Sequence, residues 1–157
     1  MEDPKSYIGK ETPKFTFEVE KGNIKDFAIA IGDLDPMFYD EEYAKKTRFG
    51  GIIASNTFSH TLRGEKTSLL RSIPQIGARI PEKLLHGEHE IEYFNPIRPG
   101  DMITFKIKIA DITEHEGKRS GKMDAVLLEI PCFNQRGEMV LRYLQTFVIR
   151  REKGGII

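Results

Sequence analysis

A chain of 157 residues with 24 Lys and Arg against 24 Asp and Glu makes one domain with room for a core and carries no net charge. That balance gives no electrostatic drive toward nucleic acid or an anionic membrane surface. The single cysteine, Cys132, excludes an intrachain disulfide and a cysteine-held zinc, and is expected to be a buried structural thiol.

The opening Met-Glu-Asp-Pro-Lys has no basic-then-apolar leader pattern, and no apolar run is long enough to span a bilayer, so a cytoplasmic protein is expected. From Phe15 to Glu20 apolar and polar residues alternate, which predicts a short strand. Gly22-Asn23 interrupts it, with Asn23 able to cap the next element. Ile24, Phe27, Ala28 and Ile31 then fall at helical spacing, and Gly32 ends that helix. The loop from Asp33 to Asp40 contains Pro36, which biases Asp35 toward an extended or turn conformation. Glu41 to Lys46 suits a short helix. Ile52 to Leu62 is less polar than a surface helix and predicts a buried one.

Beyond Leu84 the pattern is strand. Ile103, Phe105, Ile107 and Ile109 alternate with Thr104, Lys106 and Lys108. Gly117 to Gly121 is a turn, Ala125 to Phe133 a central strand, Asn134 to Gly137 a hairpin turn, and Met139 to Ile149 a long last strand. A buried helix followed by long antiparallel strands implies an α+β domain in which a sheet curls around a helix, the hot-dog architecture. One such domain is expected over residues 1–157, with its core at about 15–150.

Three segments carry a family resemblance over about Phe15 to Arg150. They are Ala28-Ile-Ala-Ile-Gly-Asp33-Leu-Asp35-Pro36, then Phe49-Gly-Gly-Ile-Ile-Ala54, then Leu85-His86-Gly87 with Glu90-Ile-Glu-Tyr93-Phe-Asn-Pro96-Ile-Arg-Pro99-Gly100-Asp101. The chain resembles the MaoC-like dehydratases and (R)-specific enoyl-CoA hydratases. It is most similar to their sister group, the dehydratase domain of type I fatty acid synthases, which also occurs as a half beside a catalytic MaoC-like half. The resemblance implies an acyl-thioester ligand on coenzyme A or an acyl carrier protein, a role in fatty acid metabolism, and no cofactor or metal. It also implies a homodimer, or a heterodimer with a MaoC-like catalytic subunit.

The departures bear on the chemistry. In catalytic members an Asp and a His five residues later activate water; here Asp33 matches the Asp and Phe38 stands at the His. A His-Gly pair opens their buried helix, and the Gly N–H polarises the thioester carbonyl; here the pair is Ser55-Asn56. A backbone N–H survives any replacement except proline, so Asn56 can still donate. The resemblance thus places Asp35, Ser55, Asn56 and Thr57 at substrate-binding positions, Asp35 where an Asn is usual.

Hydration of an enoyl thioester needs a base for water, an acid for the α-carbon and donors at the thioester oxygen. Phenylalanine moves no proton, and Asp33 alone needs a raised pKa to serve. His86, before Gly87, is the substitute candidate; regular strand geometry sets it on the face opposite His89. The competing reading of His86 is a structural histidine. Asp33 and Asp35 can equally make Asx turns. His60 reads as a core or interface histidine, His115 as an exposed turn residue, Glu88 and Glu90 as an exposed strand face, and Tyr39, Tyr93 and Tyr143 as half-buried packing. The clusters Lys45-Lys46-Arg48, Lys118-Arg119-Lys122 and Arg150-Arg151-Lys153 read as solvated surface, with carrier phosphates the sharper alternative.

The expected function is the non-catalytic, substrate-holding half of a dehydratase pair. The alternatives are a homodimeric hydratase using Asp33 and His86, and a hot-dog thioesterase.

Overall fold

The computed structural model describes residues 3–63, 84–117 and 121–150. Six antiparallel strands form one sheet: β1 (Phe15–Glu18), β2 (Leu84–Tyr93), β3 (Met102–Phe105), β4 (Lys108–Gly117), β5 (Gly121–Phe133) and β6 (Met139–Arg150). Their spatial order is β1-β3-β5-β6-β2, with β4 also against β5. The α+β hot-dog expectation holds, with α1 (Lys21–Ala30), α2 (Glu41–Ala44) and a 3-10 helix (Asn56–Arg63) as the helical parts.

Period-two alternation explains which face of the sheet is buried. On β5, Leu128, Ile130 and Cys132 point inward; on β6, Leu141, Tyr143 and Gln145 do the same. Against them lie Phe58 and Leu62 of the 3-10 helix, and beyond those Ile24 and Ala28 of α1. Phe27 and Phe58 meet edge to face at 5.7 Å, tying α1 to the central helix. Full burial of Phe58 contributes about 2–3 kcal/mol. Glu88 and Glu90 face outward from β2, as expected, and Cys132 is buried.

Three local expectations change. Helix α1 begins at Lys21, so Asn23 lies in its first turn, and Glu20 caps it without a side-chain bond. Gly32 does end the helix, at φ +75°, a conformation open to glycine at no steric cost. The strand expected across Ile103 to Ile109 is broken at Lys106–Ile107. There the N-terminal segment intrudes: Ile107 N–H donates to Thr12 Oγ (3.0 Å) and Thr12 N–H to Ile107 O (2.9 Å). Lastly, Ile52 to Ser55 is not helical. It runs extended and buried, with Ala54 N–H donating to Ile97 O (2.8 Å), and the helix starts at Asn56. Two adjacent β-branched residues favour that extended pairing over a helical turn. The turn expected at Gly117 to Gly121 falls partly on 118–120, outside the described residues.

Among the described residues no helix is long and apolar enough to cross a membrane.

Candidate functional site

The loop after α1 is built by its own carboxylates. Gly32 turns the chain, and Asp33 N–H closes back on Ala28 O (2.9 Å). Asp35 Oδ1 accepts Met37 N–H (2.9 Å) and caps the short turn Pro36–Phe38. Asp40 Oδ1 accepts Tyr43 N–H (3.0 Å) and caps α2. Tyr39 Oη donates to Leu34 O (3.1 Å), closing the loop on itself. Asp33 is exposed, and its carboxylate receives a single long contact, the Asp35 N–H at 3.4 Å. Phe38 is 6% exposed and belongs to the hydrophobic core. Phe38, where the resemblance implies a histidine, is thus turned into the protein, away from water.

A different set of residues converges at the start of the central helix. A cavity of about 200 Å³ is lined by Arg48, Phe49, Ser55, Asn56, Tyr93 and Phe94, among others. Ser55 is buried, and among the described residues its Oγ has no hydrogen-bond partner. Asn56 and Thr57 are exposed. Tyr93 Oη donates to Asn56 O (2.8 Å), pinning the helix start to the end of β2. The leading N–H groups of any helix lack intrahelical acceptors, so this end offers donors to an incoming carbonyl oxygen. The sequence suggests only ordinary packing for Tyr93, because its position at the close of β2 gives no hint of the Asn56 contact. Tyr93→Phe is expected to cost about 1 kcal/mol in a denaturant titration, the usual size for one lost hydrogen bond.

The histidines do not follow the regular-strand expectation. β2 has a bulge between His86 and Glu88, so His86 pairs with Phe147 and His89 with Gln145, both on the inner face. Their rings lie 5.4 Å apart instead of on opposite faces. His60, exposed on the central helix, lies 5.1 Å from the His89 ring and stacks on Tyr143 at 6.2 Å. Gln145 Nε2 reaches His89 Nε2 at 3.1 Å. Gly87 permits the bulge, because a Cβ there would sit 3.2 Å from Thr146 O and 3.3 Å from Val148 Cγ2. Gly87→Ala is expected to cost about 1–3 kcal/mol in thermal melts and to disturb the His86 ring resonances, since backbone and neighbour must both shift. His115 is exposed on β4 beside Thr113 Oγ1 (3.1 Å) rather than in a turn. Among the described residues no group of three His, Cys, Asp or Glu side chains is placed to hold a metal ion.

The structure therefore separates the expected residues into three places: Asp33 and Asp35 in the loop, Ser55 to Thr57 at the helix start, and His86 on the inner face.

This architecture and these segments agree with known proteins. Residues 6–143 match the model of the FAS1-like dehydratase domain region. The chain belongs to that family. A UPF0336 protein of Streptomyces avermitilis is 28% identical over 151 residues, covering 96% of this chain and 97% of that one. Another, of Saccharopolyspora erythraea, is 30% identical over 146 residues, with 92% and 90% covered. Among solved structures, the MaoC-like dehydratase of Rhodospirillum rubrum superposes with a TM-score of 0.71 at 27% identity, covering 92% of this chain and 93% of that chain. The HadBC (3R-hydroxyacyl-ACP dehydratase) complex of Mycobacterium tuberculosis gives 0.71 at 22% identity, over 90% and 96%, and shares the fold. This FAS1-like dehydratase-region chain is accordingly a member of the MaoC-like hot-dog dehydratase and hydratase superfamily.

Proposed function

We propose that this chain is the substrate-holding, non-catalytic half of a cytoplasmic dehydratase pair acting on 3-hydroxyacyl and trans-2-enoyl thioesters. Its companion is a MaoC-like catalytic subunit, and no cofactor takes part. The observation that carries this reading is Phe38: the position that needs a base holds a core side chain, while Asp33 has no imidazole against its carboxylate among the described residues. The cavity at Ser55 and Asn56, with Thr57 the next residue of the helix, keeps what holding a thioester requires, which is a helix start with donors and apolar walls. The existence of a paired relative, HadBC, among the structures with this fold supports an assembly of two chains.

One observation favours a second reading. The His60, His86 and His89 rings gather on the inner face, where an imidazole base with Asp33 would make a homodimeric hydratase. Co-expression with a MaoC-like protein, followed by pull-down and an enoyl-thioester hydration assay, separates the two. A stable pair that hydrates, beside an inert pure chain, supports the first. Robust hydration by the pure chain, abolished by Asp33→Asn, overturns it.

A further inference from the structure

A second cavity of about 290 Å³ borders the segment that leads to the Asn56 pocket, lined by Lys21, Glu41, Lys45, Gly50, Gly51 and Arg98, with others. Its three cations come from three places: the first residue of α1, the residue after α2, and the loop between β2 and β3. One carboxylate opposes them. Glu41 pairs with Lys21, and that hydrogen bond holds its carboxyl below the ordinary glutamate range. The lining thus keeps two cations in excess, three against one. Lys45 also meets Glu42 at 2.8 Å, but both side chains are exposed, so that pair is weak and exchanges readily.

Arg98 is the half-buried member. Its Nη2 donates to Phe49 O (2.7 Å), which fixes the plane of the guanidinium. Among the described residues it has no carboxylate partner, so most of its five N–H donors remain unused. The absence of a side chain at residue 51 keeps that edge open: a Cβ on Gly51 would meet only Arg98 Nη1, at 3.6 Å. The Gly51 N–H itself has no acceptor among the described residues. A planar guanidinium, two flexible ammonium groups and an unpaired backbone N–H around a small hollow match a tetrahedral phosphate oxyanion.

We propose that this cavity binds a phosphate group, anchoring the carrier end of the acyl thioester beside the pocket that holds its carbonyl. The choice of carrier rests on the function proposed above; the phosphate site stands on its own residues. The phosphate is either the 3′-phosphate on the nucleotide of coenzyme A or the 4′-phosphate of phosphopantetheine, which lies in a diphosphate in coenzyme A and in a phosphodiester on an acyl carrier protein.

Calorimetric titrations of the full chain with coenzyme A, 3′-dephospho-coenzyme A, pantetheine and inorganic phosphate test this. Coenzyme A is expected to bind about tenfold tighter than pantetheine at low salt, and the gap should close as salt rises. Lys45→Glu should erase about tenfold of the coenzyme A affinity and leave pantetheine unchanged. Lys45 is exposed, so this variant should melt like the parent; Arg98→Lys, which loosens Phe49, is the second variant and is read against its own melt. Loss of affinity in 3′-dephospho-coenzyme A assigns the site to the nucleotide phosphate, and retained affinity assigns it to the pantetheine side; either supports the proposal. Lys45-dependent binding of inorganic phosphate without coenzyme A binding keeps the site and removes the acyl-thioester reading. Equal affinities for coenzyme A and pantetheine, no effect of Lys45→Glu on any phosphate compound, or no binding at all overturns it.

Discussion

Phe38→His is expected to lower stability by about 2–4 kcal/mol and to create no hydratase activity. The substitution introduces the histidine that the family resemblance implies five positions after the aspartate. The structure gives the reason it should fail. Phe38 is buried with Ala28, Ala44 and Ile24 in one apolar cluster, and its ring fills core volume that an imidazole leaves partly empty. The imidazole also brings two nitrogens needing hydrogen bonds into that cluster. A loss of this size is a large share of a domain's net stability, so a denaturant titration resolves it easily. Unchanged stability together with measurable hydration would show that the loop is still arranged for proton transfer, and that a single residue removed its activity.

The second large effect concerns the assembly. Paired with a MaoC-like catalytic subunit, the chain should hydrate an enoyl thioester at least about 10²-fold faster than it does alone, the scale of a general base's contribution. In that pair Asp33→Asn should leave kcat within about twofold, the outcome expected when the partner supplies the base and this exposed carboxylate takes no part. Asn56→Pro probes the other site. Proline is tolerated at the first position of a helix, and it removes the N–H together with the Asn56 carboxamide, so KM should rise severalfold while the melt moves little; Asn56→Ala, which keeps the N–H, separates the two contributions. If Asp33→Asn silences the pair, the catalytic residues are in this chain after all.

Much of the architecture is legible from patterning. The alternation in β1, β5 and β6 and the helical spacing in α1 each reflect one buried face meeting one solvated face, a property of consecutive residues. The Asp35 turn is equally local, because its side chain reaches only two residues ahead. The family resemblance also rests on short contiguous segments, and the structure has Asp33 and Phe38 in the loop after α1 and Asn56 at the start of the central helix.

The effects of distant residues on one another are not readable in this way. Regular strand geometry separates His86 from His89; the bulge at Gly87, pressed by Thr146 on a neighbouring strand, puts them on one face. The Ile103 to Ile109 alternation is continuous in the sequence, yet Thr12 takes the backbone of Ile107 and breaks the strand. The hydrogen bond from Tyr93 to Asn56 and the meeting of Lys21, Lys45 and Arg98 depend on how β2, α1 and the loops are brought together. Sequence by itself determined the family, the layers and that position 38 holds a phenylalanine. Tertiary structure alone decided that Phe38 faces the core, that the helix start lines a pocket, and that three separate cations share a hollow. The physical reason is that periodicity records only which face of an element is buried, whereas a site is formed by which elements pack together and at what register.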